Sequence, residues 1–243
     1  MRRGLAAFCY NGGMKGGHSS DSQDFVHYGF YKCRPEWRLL PDAERETGIA
    51  EFLDAVDSFR DAIMMETYST LGLRTDADFL IWKVSPELAP IQDMAAALNR
   101  TRLGRRLDPA YSLLAMTRRS VYVRAEPMEP EFKVDPGEGT YLFVYPFVKT
   151  RAWYALPPAE RQRMMADHIR VGHEFPDVQL HTAYSFGLDD QEFVVSFSTD
   201  HPRRFQTLVM KLRETEASAY TLRDTPIFTC VKRPLPEILK SLG

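Results

Sequence analysis

The chain has 243 residues, 44% of them hydrophobic and 26% charged, which is enough apolar material for a substantial core and excludes a disordered or fibrous chain. Its 31 basic and 33 acidic side chains leave a net charge of −2, so no global field draws it to nucleic acid or to an anionic membrane surface. Three cysteines, Cys9, Cys33 and Cys230, without a CxxC spacing argue against a disulfide framework and a cysteine-ligated metal centre. No apolar run is long enough to span a bilayer, and the opening MRRGLAAFCYNGG carries too short an apolar stretch for a secretory signal, so the expectation is a cytoplasmic protein.

In chain order, residues 1–24 read as a flexible lead-in, of which 9–24 are polar and rich in Gly and Ser, with Gly-Gly pairs that lack the spacing of a phosphate loop. An apolar and aromatic run at 25–31 has strand composition, and a Leu-Pro pair at 40–41 opens a helix expected over about 42–65. GLRTDADFLIWKV reads as part of a hairpin, followed by a helix at 90–99 and a last strand at 120–124. Residues 99–119 hold six arginines in 21 positions, and suit either a solvated connection or a loop that orders on an anionic ligand. The order then repeats: strand 141–148, helix 158–175, a hairpin around TAYSFGLDDQEFVVSF, helix 202–216 and strand 226–231.

The repetition extends to the residues. Tyr28, Phe30, Lys32, Arg34, Trp37, Leu40-Pro41 and Glu44-Arg45 are matched by Tyr145, Phe147, Lys149, Arg151, Trp153, Leu156-Pro157 and Glu160-Arg161. The offset is 117 at the tyrosines and 116 from the tryptophans onward, so one deletion reconciles the two copies. Strand–helix–strand–strand–helix–strand is the ferredoxin-like unit, and two tandem copies, 25–125 and 126–243, give an α+β fold.

A duplicated fold needs its site only once, so positions where one copy departs chemically from the other are informative. The second-copy helix AERQRMMADHIRVGHEF places His168 on a face with Met164, Met165, Val171 and Phe175, and the first copy has Phe52 at that place. An imidazole on an apolar helix face is either a core histidine satisfied by a carbonyl or an axial ligand to a haem iron. Zinc is a poor candidate, because His173 lies five residues on and points elsewhere around the helix. His18, His27 and His201 have no clustered partner and read as incidental.

Tyr145-Pro146, Lys149, Trp153-Tyr154, Leu156-Pro157, Glu160-Arg161-Gln162, Met165 and His168, followed by Gly187-Leu188-Asp189-Asp190 and Glu192-Phe193, resemble the chlorite dismutase superfamily, and within it the coproheme decarboxylases. The resemblance is strongest over 139–232. It implies tandem ferredoxin-like domains forming a dimeric α+β barrel, haem in the C-terminal half and a homopentamer. It further implies His168 as proximal haem iron ligand, Tyr145 as the redox-active residue beside the reacting propionate, and Lys149, Arg213 and Ser218 as propionate anchors. Trp153 matches a family tryptophan near the cofactor. The implied reaction converts iron-coproporphyrin III to protohaem with hydrogen peroxide, in a protein expected to meet a ferrochelatase.

The residue chemistry is consistent with this implication. Tyr145 and Lys149 are four apart, so a regular strand turns both to one side. A phenol can pass through a radical that removes a propionate hydrogen, and an ammonium can hold the carboxylate by a charge-assisted bond. Because Tyr28 and Lys32 are their partial counterparts, a purely structural role for the repeated motif also stands. Seven residues before Gly187, where relatives carry a distal arginine or glutamine, this chain has Leu180, which offers no hydrogen bond to chlorite and counts against chlorite dismutation. His181 faces the other way unless a bulge or one-residue shift rotates it inward. Two further readings remain, a chlorite dismutase-like haem peroxidase and a carrier or sensor that binds haem or porphyrin without turnover.

Overall fold

The computed structural model describes residues 23–118, 122 and 139–243. Most of the expected lead-in, and the strand expected at 120–124 apart from Tyr122, lie outside the described residues. The first unit runs β1 (Phe25–Cys33), α1 (Asp42–Asp57), β2 (Met64–Ser69), β3 (Phe79–Ser85), α2 (Leu88–Leu98) and β4 (Leu107–Met116). The second runs β5 (Tyr141–Lys149), α3 (Arg151–Ala155), α4 (Pro158–His173), β6 (Gln179–Tyr184), β7 (Phe193–Thr199), α5 (Pro202–Glu214), β8 (Thr221–Arg223) and β9 (Phe228–Lys232), and α6 (Leu235–Ser241) closes the chain.

All strands pair antiparallel. The order β7-β6-β4-β1-β3-β2-β9-β5, with β5 returning to β7, closes eight strands into a barrel, and β8 extends one edge. Each unit keeps its fourth strand beside its first and its second strand at the far edge, the ferredoxin-like order. The units join at two seams, where β4 meets β6 at Met116 and Tyr184, and β2 meets β9 at Tyr68–Lys232 and Ser69–Val231.

Strand alternation sorts the side chains into two layers. Val26, Tyr28, Phe30, Trp82, Val144, Val194 and Phe228 fill the barrel interior. Outside it, α1, α2 and α6 cover Phe79 and Ile81 with Phe52, Met94 and Leu239, while α5 covers Phe143 and Phe197 with Phe205 and Leu208.

The basic stretch expected to connect the copies instead contains β4, the fourth strand of the first unit. Leu113 and Ala115 alternate into the barrel interior beside β1, and across a register shift Leu107 joins the outer layer, a pattern that the flanking arginines obscured. The helix expected over 42–65 ends at Asp57, and Met64 to Ser69 are strand, because β2 completes the sheet edge beside β3.

Candidate functional site

The two copies superpose through their hydrogen bonds. The backbone N–H of Asp78 donates to Tyr31 O and that of Glu192 to Phe147 O, while the N–H groups of Cys33 and Lys149 donate to the carboxylates of Asp78 and Glu192, each at 2.8 Å. Tyr31 therefore corresponds to Phe147 and Cys33 to Lys149, a constant offset of 116 with no deletion. This overturns the pairing of Tyr28 with Tyr145 and of Lys32 with Lys149. Tyr28 points into the barrel, stacked on Trp82 with its hydroxyl 2.9 Å from Ser196 Oγ, whereas Tyr145 packs on the outer face with Phe143 and Val195. A tyrosine and a lysine one residue out of step produced the apparent match, and in a strand one step changes the face. In the corrected frame Tyr145, Lys149 and His168 stand where the first copy has Gly29, Cys33 and Phe52. Trp153 is different, since Trp37 holds the same place and both are buried.

The floor of the site is the outer face of β5, β7 and β6. Its rungs are Phe143–Phe197–Leu180, Tyr145–Val195–Thr182 and Phe147–Phe193–Tyr184. Leu180 thus shares the face of Tyr145, and is 55% exposed. The register runs unbroken through β6, so His181 stays on the inner face, edge-on to Trp82 with Nε2 2.9 Å from Ser198 Oγ. The shift that would turn it outward is absent.

On α4, Pro158 begins the helix and Met164 and Val171 anchor it, which leaves His168 half-buried near Lys149 and the start of the 3-10 turn Glu216–Tyr220. Its Nδ1 lies 3.2 Å from Thr215 Oγ1. Among the described residues its Nε2 has no hydrogen-bond partner. Burial and then the Lys149 cation push its pKa down to about 4, so it is neutral near pH 7. Lys149 is buried, donates from Nζ to Ala217 O at 2.7 Å, and sits 4.6 Å from the centre of the Trp153 ring. Burial lowers its pKa to about 8 against the opposing pull of Glu192. Glu192 also accepts the Tyr154 hydroxyl at 2.6 Å, so one carboxylate fixes the end of β5 and the α3 phenol together.

Tyr145 borders a second region. A cleft of about 430 Å³ opens between α5 and the strands β5 and β9, lined by Phe143, Tyr145, Phe205, Val209, Ile227 and Arg213 among others. Burial raises the phenol pKa, with Asp224 adding to the rise and Arg213 opposing it. Arg213 is not a lone cation, because it pairs with Asp224 from the β8–β9 connection. Ser218 is half-buried in the turn beside Ala217, the residue that receives Lys149, and its N–H donates to Thr215 O at 3.0 Å.

The structure therefore gathers His168, Lys149 and Trp153 in one neighbourhood with the turn that carries Ser218, and Tyr145 with Arg213 in another beside it; Leu180 lies further along the same floor. Thr215, Glu192 and Asp224 carry polar contacts that sequence reasoning did not assign. Glu192 was visible as part of the matched motif, while nothing in the sequence marked Thr215. The donor set suits an iron porphyrin with acidic side chains: a neutral imidazole with an open Nε2, an aromatic and aliphatic floor, and ammonium, guanidinium and hydroxyl groups at its margins. Among the described residues no cluster of three His, Cys, Asp or Glu side chains could hold a metal ion by itself.

A family model described as chlorite dismutase matches residues 45–233. A coproheme decarboxylase from Mycolicibacterium smegmatis is 36% identical over 163 residues, covering 67% of this chain and 70% of that protein. Among solved structures, a point mutant of chlorite dismutase from Candidatus Nitrospira defluvii superposes with a TM-score of 0.84 at 27% identity, covering 91% of this chain and 96% of that one. A heme-binding protein from Thermus thermophilus superposes with a TM-score of 0.80 at 25% identity, covering 90% and 94%.

Proposed function

The chain belongs to the chlorite dismutase family, and from that premise we propose that it is a haem-dependent decarboxylase that converts two propionates of iron-coproporphyrin III to vinyl groups with hydrogen peroxide, yielding protohaem. The observation that carries this reading is the coincidence of three copy-specific side chains, Tyr145, Lys149 and His168, on one side of the second unit. A pocket kept only for packing would not require a phenol, an ammonium and an imidazole where its twin has glycine, cysteine and phenylalanine.

His168 would hold the iron through Nε2, and Trp153 would wall the site. When bound, the iron porphyrin supplies the redox centre at which peroxide is reduced to water. Lys149 needs little reorganisation to serve a propionate, since its ammonium is already desolvated and has a single carbonyl partner to supplement or exchange. Tyr145, with no hydrogen-bond partner for its hydroxyl among the described residues, is free to give up its hydrogen and regain one from the propionate methylene. Loss of carbon dioxide together with a second electron, which the bound redox centre would take up, then leaves the vinyl group. Each vinyl formed is a two-electron oxidation and consumes one peroxide. Arg213 and Ser218 would steady the remaining carboxylates, Arg213 by exchanging Asp224 for substrate.

Leu180 disfavours chlorite dismutation, because it gives an oxyanion no donor. The Arg213–Asp224 pair favours a second reading, a haem- or porphyrin-binding protein without turnover, since it halves the positive charge at the margin. No helix among the described residues is long and apolar enough to cross a membrane, and a cytoplasmic protein that receives its substrate from a ferrochelatase and assembles as a homo-oligomer is part of the same proposal. The test is to load the protein with iron-coproporphyrin III, add hydrogen peroxide stepwise and follow the porphyrin by mass spectrometry. Loss of two carboxyl groups, abolished in His168→Ala and blocked in Tyr145→Phe, is the expected result. Tight binding without mass loss refutes the decarboxylase and leaves the carrier and the peroxidase.

A further inference from the structure

We propose that Thr215 is a positioning residue for His168, fixing the imidazole in the tautomer and orientation that leave Nε2 open for the iron; this rests on the haem reading above. Thr215 follows α5 and is buried. A threonine hydroxyl has one proton and two lone pairs. Here the proton goes to the carbonyl oxygen of Leu212 at 2.7 Å, so the oxygen faces His168 Nδ1, 3.2 Å away, only as an acceptor. An acceptor there requires the proton on Nδ1, and a neutral imidazole with hydrogen on Nδ1 carries its lone pair on Nε2.

The first copy has a matching hydroxyl without the imidazole. Thr101 follows α2 as Thr215 follows α5, and its hydroxyl donates to Leu98 O at 2.8 Å. Its lone pair is spent locally on the N–H of Gly104 at 2.9 Å, and the helix opposite presents Phe52, which has nothing to donate. In the second copy the same helix-ending hydroxyl keeps its carbonyl but turns its lone pair to an imidazole. The carbonyl-bonded hydroxyl is thus common to both copies, and its contact with an imidazole is particular to the second. A neutral hydroxyl leaves the imidazole uncharged, whereas a carboxylate in its place would draw the ring toward imidazolate and strengthen its donation to a metal.

The test uses the full chain, with 15N-labelled histidine, before and after loading with haem. Without haem, His168 is expected to show a protonated Nδ1 and an unprotonated Nε2; Thr215→Val is expected to populate the other tautomer, and Thr215→Ser to restore the first. With ferrous haem, Thr215→Val is expected to shift or broaden the iron–imidazole stretching band and to weaken haem binding by about 10–100-fold, the range seen when the partners of metal-ligating histidines are removed. Thr215→Ser is expected to keep both. A wild-type His168 protonated on Nε2, or a Thr215→Val protein with an unchanged tautomer and band, overturns the inference. If the tautomer behaves as expected but His168→Ala binds haem as well as wild type, the haem reading fails and the assignment of Thr215 to the iron falls with it, while the hydrogen bond stands.

Discussion

Replacing Lys149 by methionine removes a buried ammonium while keeping most of the side-chain volume, and its consequence is legible in the pH dependence of stability. The folded pKa is pushed down to about 8, first by burial, from an ordinary value of 10.5. Between those values the unfolded chain still holds the lysine proton that the folded chain has released, so the Lys149 contribution makes stability rise with pH. Below pH 8 both states are protonated and the contribution is flat. The full span is about 3 kcal/mol at about 1.4 kcal/mol per pKa unit, and between pH 8 and 9.5 it amounts to about 1.5 kcal/mol. Other groups titrate nearby: burial also lowers Lys83 to about 8 and raises Cys33 to about 11. These are common to both proteins and cancel in the difference between wild type and Lys149→Met. Urea unfolding of the haem-free proteins at pH 7, 8, 8.75 and 9.5 measures that difference. It should be constant from pH 7 to just below 8, then move in favour of wild type. A difference that stays flat to pH 9.5 refutes the account of Lys149 as a desolvated cation.

Three further outcomes follow from the same geometry. His168→Phe restores the first-copy residue; because burial holds the folded histidine near 4 against 6.5 unfolded, wild type should lose stability as pH falls from 6.5 to 4, and the variant should lose less over that range in paired denaturation curves. Phe205→Ala removes a ring stacked 3.8 Å from Phe143 and tilted against Phe197 at 5.1 Å, and should cost about 3–5 kcal/mol by chemical denaturation with secondary structure retained. Gly104→Ala would put a methyl group 1.8 Å from Leu98 O, so the turn after α2 must shift, and a thermal midpoint within a degree of wild type would contradict that packing.

The internal repeat was legible because the two copies share punctuation, Leu-Pro before α1 and before α4 and Gly-Leu in each hairpin, and such residues act locally. His168 was legible because helical spacing sets its neighbours on one face. β4 was hidden by arginines on either side of a strand whose inward residues are few. The phase of β5 against β1 was hidden for another reason: a near-identical Tyr–x–Phe–x–Lys pattern fits two registers, and only the hydrogen bonds of Asp78 and Glu192 choose between them. Thr215 could not be found from spacing, since its partner lies 47 residues away on another helix. Arg213 was identified as a cation, but its neutralising Asp224 is brought to it by the fold.

The closed barrel has a consequence for how such a site can evolve. Two identical chains that shared one barrel would have to carry every substitution twice, so a histidine gained in one half would be buried again in the other, doubling the polar burial. Joining the halves end to end removes that obligation. Phe52, Gly29 and Cys33 continue to serve packing and strand geometry in one half, while the matching positions of the other are released to carry charge and a proton-bearing ring. The conservative half becomes ballast for the inventive one, and the narrow seams between β4 and β6 and between β2 and β9 are where that asymmetry is held together.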